Sequence, residues 1–176
     1  MSDMTTSADP QQNTQQPAGE ANVPYRPAGY STITPFLCVN GAAAAIDFYV
    51  SVFGAREVAR LAGPGGTIAH AELQLESGRL QLADPTDGYG LVAHDPAAAA
   101  TTHSLAVYVS DCDAVVAAAE RAGATVREPP ATFVTGDRFG SILDPFGVRW
   151  SVMTRVEQVS DAEAERRVKD WLASQG

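Results

Sequence analysis

Two side chains in the run His70-Ala71-Glu72-Leu73 offer the clearest acid–base chemistry in the chain. If that run is extended, His70 and Glu72 share one face, with Cβ atoms roughly 6–7 Å apart. An imidazole beside a carboxylate can transfer a proton, the carboxylate fixing the tautomer and raising the basicity of the ring. The same pair can also do no more than satisfy two polar positions on a wet sheet face. A third use is as two ligands of a metal that another group completes. Arg138, in Gly136-Asp137-Arg138, is a further candidate. Its guanidinium can grip a ligand carboxylate or phosphate in bidentate fashion, or pair internally with Asp137 or another nearby carboxylate. Gly-rich phosphate loops and the CxxC, HExxH and GxSxG patterns are absent from the sequence.

Elements must position these groups, and hydrophobic periodicity locates them. Residues 33–39 read as a strand, and Asn40 can cap the helix that follows. Ala42, Ile46, Tyr49 and Phe53 form its apolar stripe and Gly54 closes it. Strands are expected at 56–61, 68–75 and 79–83. Residues 84–102 read as a linker or covering loop, long enough to be functional or mobile. The order then repeats: a strand at 105–109, a helix capped by Asp111 or Asp113 and closed by Gly123, a strand at 125–128 ending before Pro129-Pro130, a strand within 133–143, and a last one at 148–154. Gly54-Ala55 maps onto Gly123-Ala124 at a shift of 69 residues, and Val39 onto Val109 at 70. Such a period indicates two copies of one βαβββ module. Ser160 and Glu163 start a final helix with Ala164, Val168, Trp171 and Leu172 along one face.

Alternation also assigns faces. One side of the strands carries Thr34, Phe36, Cys38, His70, Glu72, Gln74, Arg79, Gln81 and Ala83 from the first module. The second module adds Ser104, Ala106, Tyr108, Arg149, Ser151 and Met153. Trp150 falls on the opposite, helix-facing side and is expected in the core.

Composition bounds the function. The 176 residues are 45% hydrophobic and carry 12 Lys+Arg against 21 Asp+Glu, a net charge of −9. One domain of this size can bury a core. Its acidity disfavours nucleic acid and anionic membranes as partners. No apolar run is long enough to span a bilayer, and the polar start has no signal-peptide pattern. The two cysteines, Cys38 and Cys112, read as free buried thiols of a cytoplasmic protein. Lys169 is the single lysine, an arginine bias that fits a GC-rich bacterial genome. Residues 1–28, rich in Gln, Pro and small polar residues, read as a disordered tail. The remainder divides into a domain at 29–156 and a C-terminal helix at 157–176.

The module order, the run ITPFLCVNGAAAAIDFYVSVFGA at 33–55, HAEL at 70–73 and GDRFGSILDPFGVRW at 136–150 resemble the vicinal oxygen chelate superfamily. That group includes glyoxalase I, bleomycin-resistance proteins and extradiol dioxygenases; the PhnB-like branch is the best match. The resemblance covers about residues 31–155. It implies an α+β fold in which two paired βαβββ modules form a half-open curved sheet around a cleft, commonly in a homodimer. It also implies four metal-ligand positions, one on each of four strands, which fall here on Thr34, Gln81, Ser104 and Ser151. None is an imidazole or a carboxylate, so no metal and no other cofactor is expected. The expected function is binding of a small organic molecule, with Thr34, Phe36, Gln81, Ser104, Tyr108, Arg138 and Ser151 as ligand-contacting residues. The rival is a glyoxalase-like lyase or isomerase acting beside a carbonyl, or a dioxygenase, with His70 and Glu72 as catalytic or metal-binding groups.

Overall fold

The computed structural model describes residues 23–175. Residues 1–22 of the expected tail lie outside that range; residues 23–28 are exposed and irregular. The first module runs β1 (Phe36–Cys38), α1 (Ala42–Phe53), β2 (Arg56–Ala62), β3 (Ile68–Leu75) and β4 (Gly78–Ala83). The second runs β5 (Leu105–Tyr108), α2 (Cys112–Arg121), β6 (Thr125–Thr132), β7 (Asp137–Leu143) and β8 (Arg149–Arg155), and α3 (Asp161–Ser174) follows. Each module keeps its own four-stranded mixed sheet, ordered β1-β4-β3-β2 and β5-β8-β7-β6. The repeat is kept in register: Phe36 pairs with Gln81, and Ala106 with Ser151, a shift of 70 residues on both strands.

Several local expectations shift for physical reasons. The first strand shrinks to three residues, because Pro35 has no N–H to donate and pairing begins after it. Asn40 does not cap α1. Gly41 takes the N-cap position at φ 80, and the Asp84 carboxylate accepts from the Gly41 and Ala42 N–H groups at 2.8 and 3.0 Å. Its other oxygen accepts from Ile68 N at 2.8 Å, so one side chain after β4 ties the helix start to β3. Asp111 caps α2, accepting from Ala114 N at 2.9 Å. β6 does not stop at Pro129-Pro130 but runs on to Thr132. It is an edge strand with a register shift between Glu128 and Ala131, where missing donors are tolerated. Residues 97–100 form no helix.

One core joins the modules. Leu37, Leu73 and Leu82 back the first sheet, Ile142, Trp150 and Val152 the second, and both helices pack among them. Tyr49 and Phe53 of α1 lie against Trp150, with ring centroids 5.4 and 4.8 Å apart. Asp144 sits at the centre, 2% exposed. Its Oδ2 accepts from Tyr49 Oη at 2.8 Å and Trp150 Nε1 at 2.9 Å, and its Oδ1 from the N–H groups of Phe146 and Val148 at 2.9 Å each. The motif at 144–147 is therefore a structural hub as well as a turn. Gly147, at φ +87, leaves room for the linker: a Cβ there would stand 2.8 Å from Pro96 N. α3 buries no residue fully; it docks through Trp171 on Phe133, centroids 5.3 Å apart, and through Arg167 on Glu157 at 2.8 Å. No helix among the described residues is long and apolar enough to cross a membrane.

Candidate functional site

Since the apolar faces of both sheets meet in the shared core, the opposite faces are left for ligands. Alternation in β3 is as the sequence implies: Ala71 and Leu73 are fully buried, while His70 and Glu72 stand on the outer face. Across the first sheet the pairing sets up adjacent rows. His70 lies opposite Leu61 of β2 and next to the Ala83 end of β4; Glu72 lies opposite Ala59 and Gln81, with Phe36 beyond. Gln74 lies opposite Arg56 and Arg79.

Glu72 is the centre of a polar cluster. Its carboxylate accepts from the Tyr30 hydroxyl and from Arg79, and at 3.4 Å from Gln81 Nε2. His70 Nε2 stands 3.4 Å from Glu72 Oε1. The Tyr30 hydroxyl, then the Arg79 guanidinium and His70, hold the Glu72 carboxyl down at about 2. It is thus an anion throughout the physiological range and too weak a base to take a proton there. Tyr30 and Arg79 are the participants that choosing by chemistry missed. Arg79 was legible from its parity, but Tyr30 lies before any periodic element. It reaches Glu72 only because residues 29–31 cross the outer face of β3 and β4, its ring 4.6 Å beneath the Arg79 guanidinium.

That crossing covers one end of the face and leaves the other open. A cavity of about 810 Å³ lies over the His70 and Phe36 end. Leu61 and Pro64 wall it from the β2–β3 side, and Pro85, Asp87 and Leu91 from the linker. The long loop 84–102 is therefore a wall of the site. A second cavity of about 460 Å³ shares Phe36 and Leu91 and reaches the imidazoles of His94 and His103, whose centroids are 5.0 Å apart. Burial, then His103, pushes the His94 pKa down.

The second sheet presents Tyr108, 54% exposed, beside Met153. Ser104 and Ser151 hydrogen-bond to each other at 3.1 Å. Arg149, the repeat equivalent of Arg79, donates to Ser141 Oγ at 3.1 Å and Glu128 at 2.8 Å. Arg138 is not on this face. It points to the α2 side and clasps Asp113 with two bonds of 2.6 Å, the internal-pair alternative with a partner that is not Asp137. Thr34 is half-buried just before β1. The structure therefore brings Phe36, His70, Glu72 and Gln81 together, and places Ser104, Ser151 and Tyr108 on the other sheet.

The donor set does not suit a transition metal. Thr34, Gln81, Ser104 and Ser151 supply only hydroxyl and amide groups. Among the described residues, no three His, Cys, Asp or Glu side chains converge as a metal-binding group.

Three comparisons bear on this architecture. The sequence pattern of the Glyoxalase/Bleomycin resistance protein/Dioxygenase superfamily matches residues 31–152. The chain is 36% identical over 146 residues to the uncharacterized protein Mb0911c of Mycobacterium bovis, covering 82% of this chain and 93% of that protein. Among solved structures, TioX from Micromonospora sp. ML1 is similar at TM-score 0.57 and 27% identity, over 71% of this chain and 98% of TioX. A putative 3-demethylubiquinone-9 3-methyltransferase, PhnB protein, from Bacillus cereus shares the fold at TM-score 0.55 and 24% identity, over 70% and 99% of the two chains.

Proposed function

Because the chain belongs to the glyoxalase/bleomycin resistance protein/dioxygenase superfamily, we propose that it is a PhnB-like protein that binds a small organic molecule in the cavity over His70 and Phe36, without a metal. The cavity itself carries the reading. Its size suits a drug-sized molecule, its walls are mainly apolar, and one imidazole can fix the orientation of a bound ligand. Binding rather than turnover fits the state of Glu72, which is locked as an anion by its own neighbours.

A ligand that binds should raise the melting temperature of the protein and be recovered unchanged after incubation. Turnover of that ligand, lost in a His70→Ala protein, would replace the binding reading with the lyase or isomerase one.

The proposal extends to a cytoplasmic homodimer. Two free buried cysteines suit a reducing compartment. The apolar groups left exposed on the second sheet and on α3, among them Tyr108, Trp171 and Leu172, suit coverage by a second copy. Sedimentation at micromolar concentration should give twice the protomer mass; a monomer there would remove the dimer from the proposal.

A further inference from the structure

We infer that the cavity selects a flat aromatic amine, neutral or cationic, and discriminates against carboxylates and phosphates. This rests on the binding reading above and adds the chemical class of the ligand.

Three features support it. The first is shape. Phe36 and His70 lie side by side, with ring centroids 6.0 Å apart and planes tilted by 36°. Phe36 is 41% exposed and the His70 side chain 35%. Two neighbouring open rings form a platform on which a flat ligand can stack. Leu61 and Leu91, 62% and 46% exposed, stand at the rim and would be covered by such a ligand.

The second is charge. Among the described residues that line the cavity, the ionisable ones are His70, Asp84 and Asp87; neither Lys nor Arg is present. The Asp84 carboxylate is committed to three backbone N–H groups. Asp87, exposed at the start of the turn at 87–89, faces the ligand space without such partners among the described hydrogen bonds. Behind His70, Glu72 is paired with Arg79, so that ion pair adds no net charge to the cavity. Arg79 of the same face spends its charge on Glu72 and on the face of Tyr30. An anionic ligand would meet the free Asp87 carboxylate and no cation in the lining, whereas an ammonium is favoured by it.

The third is hydrogen-bond polarity. Glu72 is a carboxylate and can only accept, so the proton between it and His70 belongs to His70 Nε2. In the neutral tautomer that donates to Glu72 in this way, the lone pair is on Nδ1. An acceptor at the platform pairs with an N–H of the ligand and not with a carboxylate oxygen.

Three probes sharing one ring system test this with the full chain: naphthylmethylamine, naphthalenemethanol and naphthoate, titrated calorimetrically at low salt. The ammonium is expected to bind about tenfold more tightly than the carboxylate, with the alcohol between them. Phe36→Ala should weaken all three. Asp87→Asn, at an exposed turn position, should narrow the gap between ammonium and carboxylate while leaving the alcohol unchanged. Naphthoate binding as tightly as the amine, still dependent on Phe36, would overturn the selectivity and leave the binding reading standing. Saturable binding by none of the three would count against both.

Discussion

Replacing Asp144 by Ala is expected to destabilise the protein by about 3–5 kcal/mol. Four donors converge on that carboxylate: the Tyr49 hydroxyl, the Trp150 indole N–H and two backbone N–H groups. Asp144, Tyr49 and Trp150 are each 2% exposed or less, so water cannot replace the lost acceptor. The loss falls at the junction of the modules, since Tyr49 belongs to α1 of the first and Trp150 to β8 of the second. Domain stabilities are of order 5–15 kcal/mol, so the variant should melt far below the parent or fail to fold. Tyr49→Phe is the milder probe and should cost about 1–2 kcal/mol. Chemical denaturation of both variants checks the ranking; an Asp144→Ala protein as stable as Tyr49→Phe would show that the hub does not act as one unit.

The same hub gives an alkaline signature. Burial, and then the Asp144 charge, pushes the Tyr49 pKa well above its usual value. A group whose folded pKa is raised contributes its full stability below the unfolded value of about 10 and loses it as the pH climbs further. Stability should therefore fall above about pH 10, and less steeply in Tyr49→Phe.

The second large effect is at Glu72. Glu72→Gln is expected to cost about 2–3 kcal/mol at neutral pH, because Arg79 and the Tyr30 hydroxyl lose their anionic partner in a site only 15–18% exposed. The folded pKa lies at about 2, below the unfolded value near 4.5. The contribution is therefore complete above about 4.5 and is lost as the pH falls through 2. The stability difference between the parent and Glu72→Gln should be constant from pH 5 to 8 and shrink below that. Urea unfolding at pH 7, 4 and 2.5 measures it. A difference that is unchanged at pH 2.5 would show that Glu72 is not the titrating group. Tyr30→Phe should raise the Glu72 pKa, since that hydroxyl is its largest stabilising partner.

Much of the fold was legible because local patterns and fold agree. Period-two alternation in β3 placed His70 and Glu72 on one face and Ala71 and Leu73 on the other. The shift of about 70 residues marked the two modules. Caps were less legible: Asp111 is adjacent in sequence to its helix, whereas Asp84 reaches α1 from 42 and 43 residues away. The candidate site divides in the same manner. Parity placed Phe36, Gln81, Ser104, Tyr108 and Ser151 on the outer faces. Arg138 obeys the same parity, on the helix side, and only the approach of α2 supplied Asp113 as its partner.

The sequence by itself determined the α+β class, the repeated βαβββ order and the outer and inner face of each strand. These depend on neighbours within a few residues, or on residue type alone. Tertiary structure decided which end of the outer face stays open. It laid Tyr30 over Glu72 and Arg79, made loop 84–102 a wall above His70, and gathered Tyr49, Trp150 and the 144–148 backbone around one buried carboxylate. Each of these brings together residues far apart in the chain, the last of them across the core that the two modules share, and no local period encodes such a meeting.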